Sequence, residues 1–168
     1  FGFGEDTDYS IAGLQEMQET QDYVQAVLDD RLEQELLAEE GTEDYIRAEN
    51  YREEMIEADL LKAMKARGYY DAEVIFQDNE TQDLSGIYQI DPGIQYKISE
   101  IRVEPQNFEE ELDFPLIEEG KPLIASNVLQ AQSKLYEQVQ KDRCSFYMDV
   151  GHRVRLNQEN HTAIIIFD

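Results

Sequence analysis

At Gly68 the period of the sequence changes from that of a helix to that of a strand. Upstream, "EDYIRAENYREEMIEADLLKAMKAR" (43–67) repeats its apolar residues at helical spacing, with Ala48, Tyr51, Met55, Ile56, Leu60 and Met64 on one face. Acids come early in this run and Lys62, Lys65 and Arg67 late, the order that a helix dipole favours. Downstream, "YDAEVIF" (70–76) alternates as a strand does. The glycine corner therefore joins a helix to the first strand of a hairpin. Tyr69 and Tyr70 are predicted to fill the space between the helix end and the sheet.

The neighbouring segments extend this pattern. "YSIAGL" (9–14) reads as a strand, and 16–40 as a helix carrying Val24, Leu28, Leu32 and Leu36 every fourth residue. Gly41 is placed to end that helix as its C′ residue, and Thr42 to cap the next. After a polar turn, "DNETQD" (78–83), residues 84–105 supply one or two strands around Asp91-Pro92-Gly93. The order is strand, helix, helix, strand, strand. It recurs weakly: a strand at 96–104, a short helical turn at 112–123, and a helix at 125–143 with Val128, Leu129, Leu135, Tyr136 and Val139 buried. A strand pair at 145–156 and 162–168 follows, across "NQEN", giving a degenerate repeat of about 80–90 residues.

Composition narrows the function. The chain has 168 residues, enough for one large domain or two small ones, and a domain of roughly 80 residues buries only about 60% of its unfolded surface. A formal net charge of −24 argues against nucleic acid and against an anionic membrane face, since both demand clustered Lys and Arg. Ten tyrosines, seven phenylalanines and clear periodicity argue for a folded chain despite that charge, outside the first eight residues. Cys144 is the single cysteine and can form no internal disulfide. No apolar run approaches the ~20 residues that span a membrane as a helix. The opening "FGFGEDTD", without a starting methionine or a signal peptide, and the stop directly after "TAIIIFD" predict a segment trimmed from a longer product.

Catalytic and metal-binding patterns are weak. The 38 acids offer many carboxylate pairs, but most fall on solvated helix faces beside basic residues. "DNETQD" lacks the glycine and the twelfth-position glutamate of a calcium loop. His152 and His161 are expected as neighbours in the last hairpin, two ligands short of a structural zinc site. Lys141 and Arg143 could lower the thiol pKa of Cys144, yet no histidine is placed as its base. "FGFG" has no strand before it and no helix after it, so it is not a phosphate loop. Asp71 is expected to cap turn N–H groups. No nucleophile, base and orienter come together, so the chain reads as non-enzymatic, with no cofactor and no metal.

The helix-to-strand corner Gly68-Tyr69-Tyr70-Asp71-Ala72 within the order strand–helix–helix–strand–strand resembles the POTRA (polypeptide-transport-associated) domain. "IDPGIQYKISEIRVE" (90–104) is similar to that family's closing turn and the next domain's first strand, and "EEGKPLIASNVLQAQSKLYEQV" (118–139) to a second domain's opening. The long acidic helix pair looks most like the translocation-and-assembly-module branch. The second corner, "CSFYMDV" (144–150), lacks the glycine, although Phe146 and Tyr147 hold the aromatic places. The resemblance implies an α+β fold of two small β-α-α-β-β domains in tandem, 1–95 and 96–168, each a three-stranded sheet covered by helices. It implies the periplasmic part of an outer-membrane protein: a scaffold ahead of a C-terminal membrane barrel that is absent from this chain. Its partners would be outer-membrane client polypeptides or an inner-membrane-anchored assembly partner.

Sheets of this kind leave edges that can accept another strand. The first candidate edge is 71–76, with Ala72, Val74 and Phe76 inward and Glu73 and Ile75 outward, so Glu73, Val74, Ile75 and Phe76 are the candidate contact residues. The matching strand, 149–156, contributes Gly151, expected as a bulge, with Arg153 and Arg155. The acidic helices allow another reading, a stand-alone helical-hairpin adaptor for basic partner proteins.

Overall fold

The computed structural model describes residues 9–34, 36–78, 86–104, 114–143 and 150–168. Cys144, Phe146 and Tyr147, most of "DNETQD" and the opening "FGFG" lie outside the described residues. The elements run β1 (Tyr9–Ala12), α1 (Gln18–Leu32), α2 (Glu43–Ala66), β2 (Glu73–Asp78), β3 (Gly86–Asp91), β4 (Lys97–Val103), α3 (Ala125–Arg143), β5 (His152–Asn157) and β6 (Thr162–Phe167). The fold is mixed α+β, with two three-stranded sheets, β1-β3-β2 and β4-β6-β5. Two compact units divide the chain: Phe1–Lys65 with Asp71–Gly93, and Ala66–Tyr70 with Ile94–Asp168.

The sheets share one topology. β1 runs parallel to β3 and β4 parallel to β6, and each pair needs a helical crossover. The last two strands of each unit form an antiparallel hairpin. The internal repeat is therefore a repeat of strand pairing.

In the first unit Val24 and Leu28 of α1, Ile56, Leu60 and Met64 of α2, and Tyr88 and Ile90 of β3 are all buried. Thr42 caps α2: its Oγ1 accepts from the Tyr45 N–H at 3.1 Å. Arg31 ties the helices together, donating through Nε to Asp59 Oδ2 at 2.8 Å. Helix α1 is shorter than its pattern. The four-residue repeat continues past Leu32, but Leu36 is only partly buried and Leu37 is 99% exposed. A helix turn with nothing to pack against gains little from propensity alone, so α1 ends where its buried face ends. Gly41, expected as its C′ residue, instead takes φ +86 in the turn before α2. In α2, Tyr51 of the expected apolar face is 64% exposed, and the fully buried residues begin at Ile56.

In the second unit Tyr96, Ile98, Val128, Ala131, Leu135, Val139, Ile165 and Phe167 belong to one core. Leu129 and Tyr136, expected inside, are exposed, and Ala131 takes the inward place. The expected helical turn at 112–123 is extended at its end. There Ile98 donates to Lys121 O at 2.9 Å, Gly120 to Ile98 O at 2.8 Å and Leu123 to Tyr96 O at 3.0 Å, so this segment lies along the outer side of β4. Gly151 marks no bulge. It exchanges both backbone bonds with Asp168, at 3.0 and 3.1 Å, in register with the β5–β6 ladder. The irregularity sits at Ser99, where the β4–β6 register shifts and the Ser99 hydroxyl donates to Ala163 O at 3.1 Å.

Candidate functional site

β2 is an edge strand: β3 pairs with one side of it, and no described strand pairs with the other. Its side chains alternate. Val74 is buried, Phe76 half-buried, and Glu73, Ile75 and Gln77 are exposed, Ile75 at 60%. Ala72 lies just outside the strand and is half-buried. Phe76 packs against Tyr88 with ring centroids 4.7 Å apart and against Tyr9 at 6.2 Å. Gly86, opposite Asp78, makes room for that ring, because a Cβ there would lie 2.2 Å from Phe76.

This aromatic face is anchored to α2. Tyr9 donates its hydroxyl to Glu53 Oε1 at 2.9 Å, and Tyr88 donates to the Glu53 carbonyl at 3.1 Å. The Arg52 guanidinium lies 5.9 Å above the Tyr9 ring, and its Nε is buried without a hydrogen-bond partner among the described residues. Burial pushes both phenols well above their ordinary pKa, and the Glu53 carboxylate adds to it. Burial also raises Glu53, against the lowering bond from Tyr9. None of this was legible in the sequence, since Tyr9 and Glu53 meet across 44 positions with no local pattern linking them.

The corner residues divide between the two units. Gly68 adopts φ +91, and its carbonyl accepts from the Tyr96 N–H at 2.8 Å. Tyr70 meets Tyr96 edge-on at 5.3 Å and packs on the core of the second unit. Tyr69 is buried beside it in sequence, while Asp71 is exposed in the turn.

β5 is the matching edge of the second sheet. Arg153 donates to Asp168 Oδ2 and to Glu104 Oε2, both at 3.1 Å. The Arg155 side chain is exposed and makes no ion pair or hydrogen bond among the described residues. The two histidines are not neighbours. His152 begins β5 and bonds Gln132 through Nδ1, while His161 precedes β6 at φ +54, edge-on to Tyr96 at 5.4 Å. Their separation follows from the register, which pairs His152 with Phe167 and leaves His161 at the hairpin turn. Among the described residues no three His, Cys, Asp or Glu side chains are placed to share a metal ion, and no helix is long and apolar enough to cross a membrane.

No family model and no curated protein matches the chain. Solved structures do. The Haemophilus influenzae BamA POTRA3-5 structure is similar with a TM-score of 0.50 at 15% identity, over 96% of this chain and 59% of that one. POTRA1-3 of the periplasmic domain of Omp85 from Anabaena is similar at 0.46 and 13% identity, over 96% and 59%. CdiB from Escherichia coli gives 0.43 and 14%, over 96% and 26%. This chain thus spans 59% of the length of the BamA fragment. Its fold is that of POTRA domains.

Proposed function

We propose that this chain is a periplasmic, non-catalytic scaffold of an outer-membrane protein assembly or translocation factor, in the TamA line. In this reading 1–95 and 96–168 are successive POTRA domains ahead of a membrane barrel. They take up outer-membrane client polypeptides or an inner-membrane-anchored partner by adding a strand to an exposed sheet edge. The observation that carries the reading is β2: an edge strand whose outward side shows Glu73 and a 60%-exposed Ile75 while Val74 and Phe76 hold it to the core. The POTRA fold supports the compartment and the role. The acidic, long-helix character of the first unit supports the TamA line.

The experiment is photo-crosslinking in cells from position 75, with position 129 on the exposed face of α3 as control. The reading predicts adducts with newly exported outer-membrane polypeptides or an envelope partner from position 75 only. Equal adducts from both positions would contradict it.

A second reading, docking of a basic helical partner on the α1–α2 hairpin, draws on Ile46 and Tyr51. They are 55% and 64% exposed amid many carboxylates.

A further inference from the structure

We infer that the β5 edge accepts extended segments carrying a carboxylate side chain, with Arg155 as the residue that selects it. The inference deepens the strand-addition reading above and rests on it. Within a chain of net charge −24, the open face of the second sheet gathers three arginines, Arg102, Arg153 and Arg155. Two are already matched. Arg102 holds Glu100 through two bonds, Nε–Oε1 at 2.8 Å and Nη2–Oε2 at 3.0 Å. Arg153 bridges Glu104 and Asp168. Arg155 has no such partner among the described residues, and the register sets it beside Ile164, whose other neighbour is Glu100.

Position makes the Arg155 guanidinium usable. Strand alternation sends Val154 and Leu156 to the core and Arg153 and Arg155 to the open face. The β4 side of the sheet is occupied at Tyr96–Ile98 by the segment ending at Leu123, whereas no described strand lies along β5. A strand added to β5 would place one side chain directly opposite Arg155, with Cβ atoms about 4.5–5.5 Å apart. A glutamate or aspartate there completes an ion pair, while a lysine meets like charge. The β2 edge carries the opposite signal, with exposed Glu73 and Asp78 and no basic residue in the strand. The two edges therefore read opposite charges on an incoming chain.

The test uses the full chain and three short acetylated, amidated peptides of alternating threonine and valine, with a central glutamate, glutamine or lysine. Backbone amide shifts of β5 are followed by NMR at physiological salt. The glutamate peptide is expected to bind β5 about two- to five-fold more tightly than the glutamine peptide, the range of an exposed ion pair, and the lysine peptide more weakly. Arg155→Gln removes that ranking and Arg155→Glu reverses it. A ranking unchanged in Arg155→Glu, or shifts confined to β2, overturns the inference. Absence of β5 shifts with every peptide overturns it too, while the proposed function stands or falls separately on crosslinking from position 75.

Discussion

Tyr9 and Glu53 join the first strand to the second helix, hydroxyl to carboxylate at 2.9 Å, and this bond makes one edge of the first sheet pH-sensitive. Glu53 is raised above its ordinary value, by burial first, so the native state holds a proton more tightly than the unfolded chain does. The stabilisation from that proton is complete below the ordinary carboxyl value. It is lost as pH rises through the raised one. Tyr9→Phe deletes the bond that opposes the rise and pushes Glu53 further up. The expected cost is about 1 kcal/mol at neutral pH, after allowance for partial exposure, and much less near pH 4. Urea denaturation at the two pH values checks it, and an equal cost at both would contradict it.

Gly68→Ala is expected to cost about 2 kcal/mol or more. The position has φ +91, and an added Cβ would lie 2.7 Å from the Leu123 carbonyl oxygen. Gly120→Ala is the control. Its φ is +87 but nothing lies within 4 Å, so only the backbone strain of about 1 kcal/mol remains. Thermal denaturation should separate the two variants.

The facing of α3 can be tested with two leucines. Leu135 is 2% exposed and Leu129 53%. Leu135→Ala should cost about 2–5 kcal/mol and Leu129→Ala within about 0.5 kcal/mol. Similar losses in chemical denaturation would mean that the helix is rotated.

Local chemistry carried most of the fold. The glycine at 68, the Thr42 cap and the change of period from helix to strand suffice for the order of elements in the first unit. What escaped depends on long-range packing. Leu36 continues a helical period after the surface that could bury it has ended, and Leu129 has the letter of a core residue on the outer side of α3. The extended segment 120–123 beside β4 looks like a helical turn because Gly120 and Pro122 punctuate it, yet its bonds go to Tyr96 and Ile98. At the site, strand alternation is a local property and can be read directly from "DAEVIF". The pairing of Tyr9 with Glu53, and an Arg155 side chain without a partner among the described residues beside a committed Arg153, emerge only once the strands are in register.

Two proline variants test strand addition at β2 most directly. Successive residues of a strand send their N–H groups to opposite sides, so one of Val74→Pro and Ile75→Pro removes a donor aimed at β3 and the other a donor aimed outward. Each variant is first compared with wild type by urea denaturation. The variant that keeps the wild-type midpoint is then assayed for capture of an outer-membrane polypeptide by photo-crosslinking from position 77. Strand addition predicts that this folded variant loses the crosslink. Undiminished capture by a folded variant lacking the outward N–H would show that the polypeptide binds elsewhere.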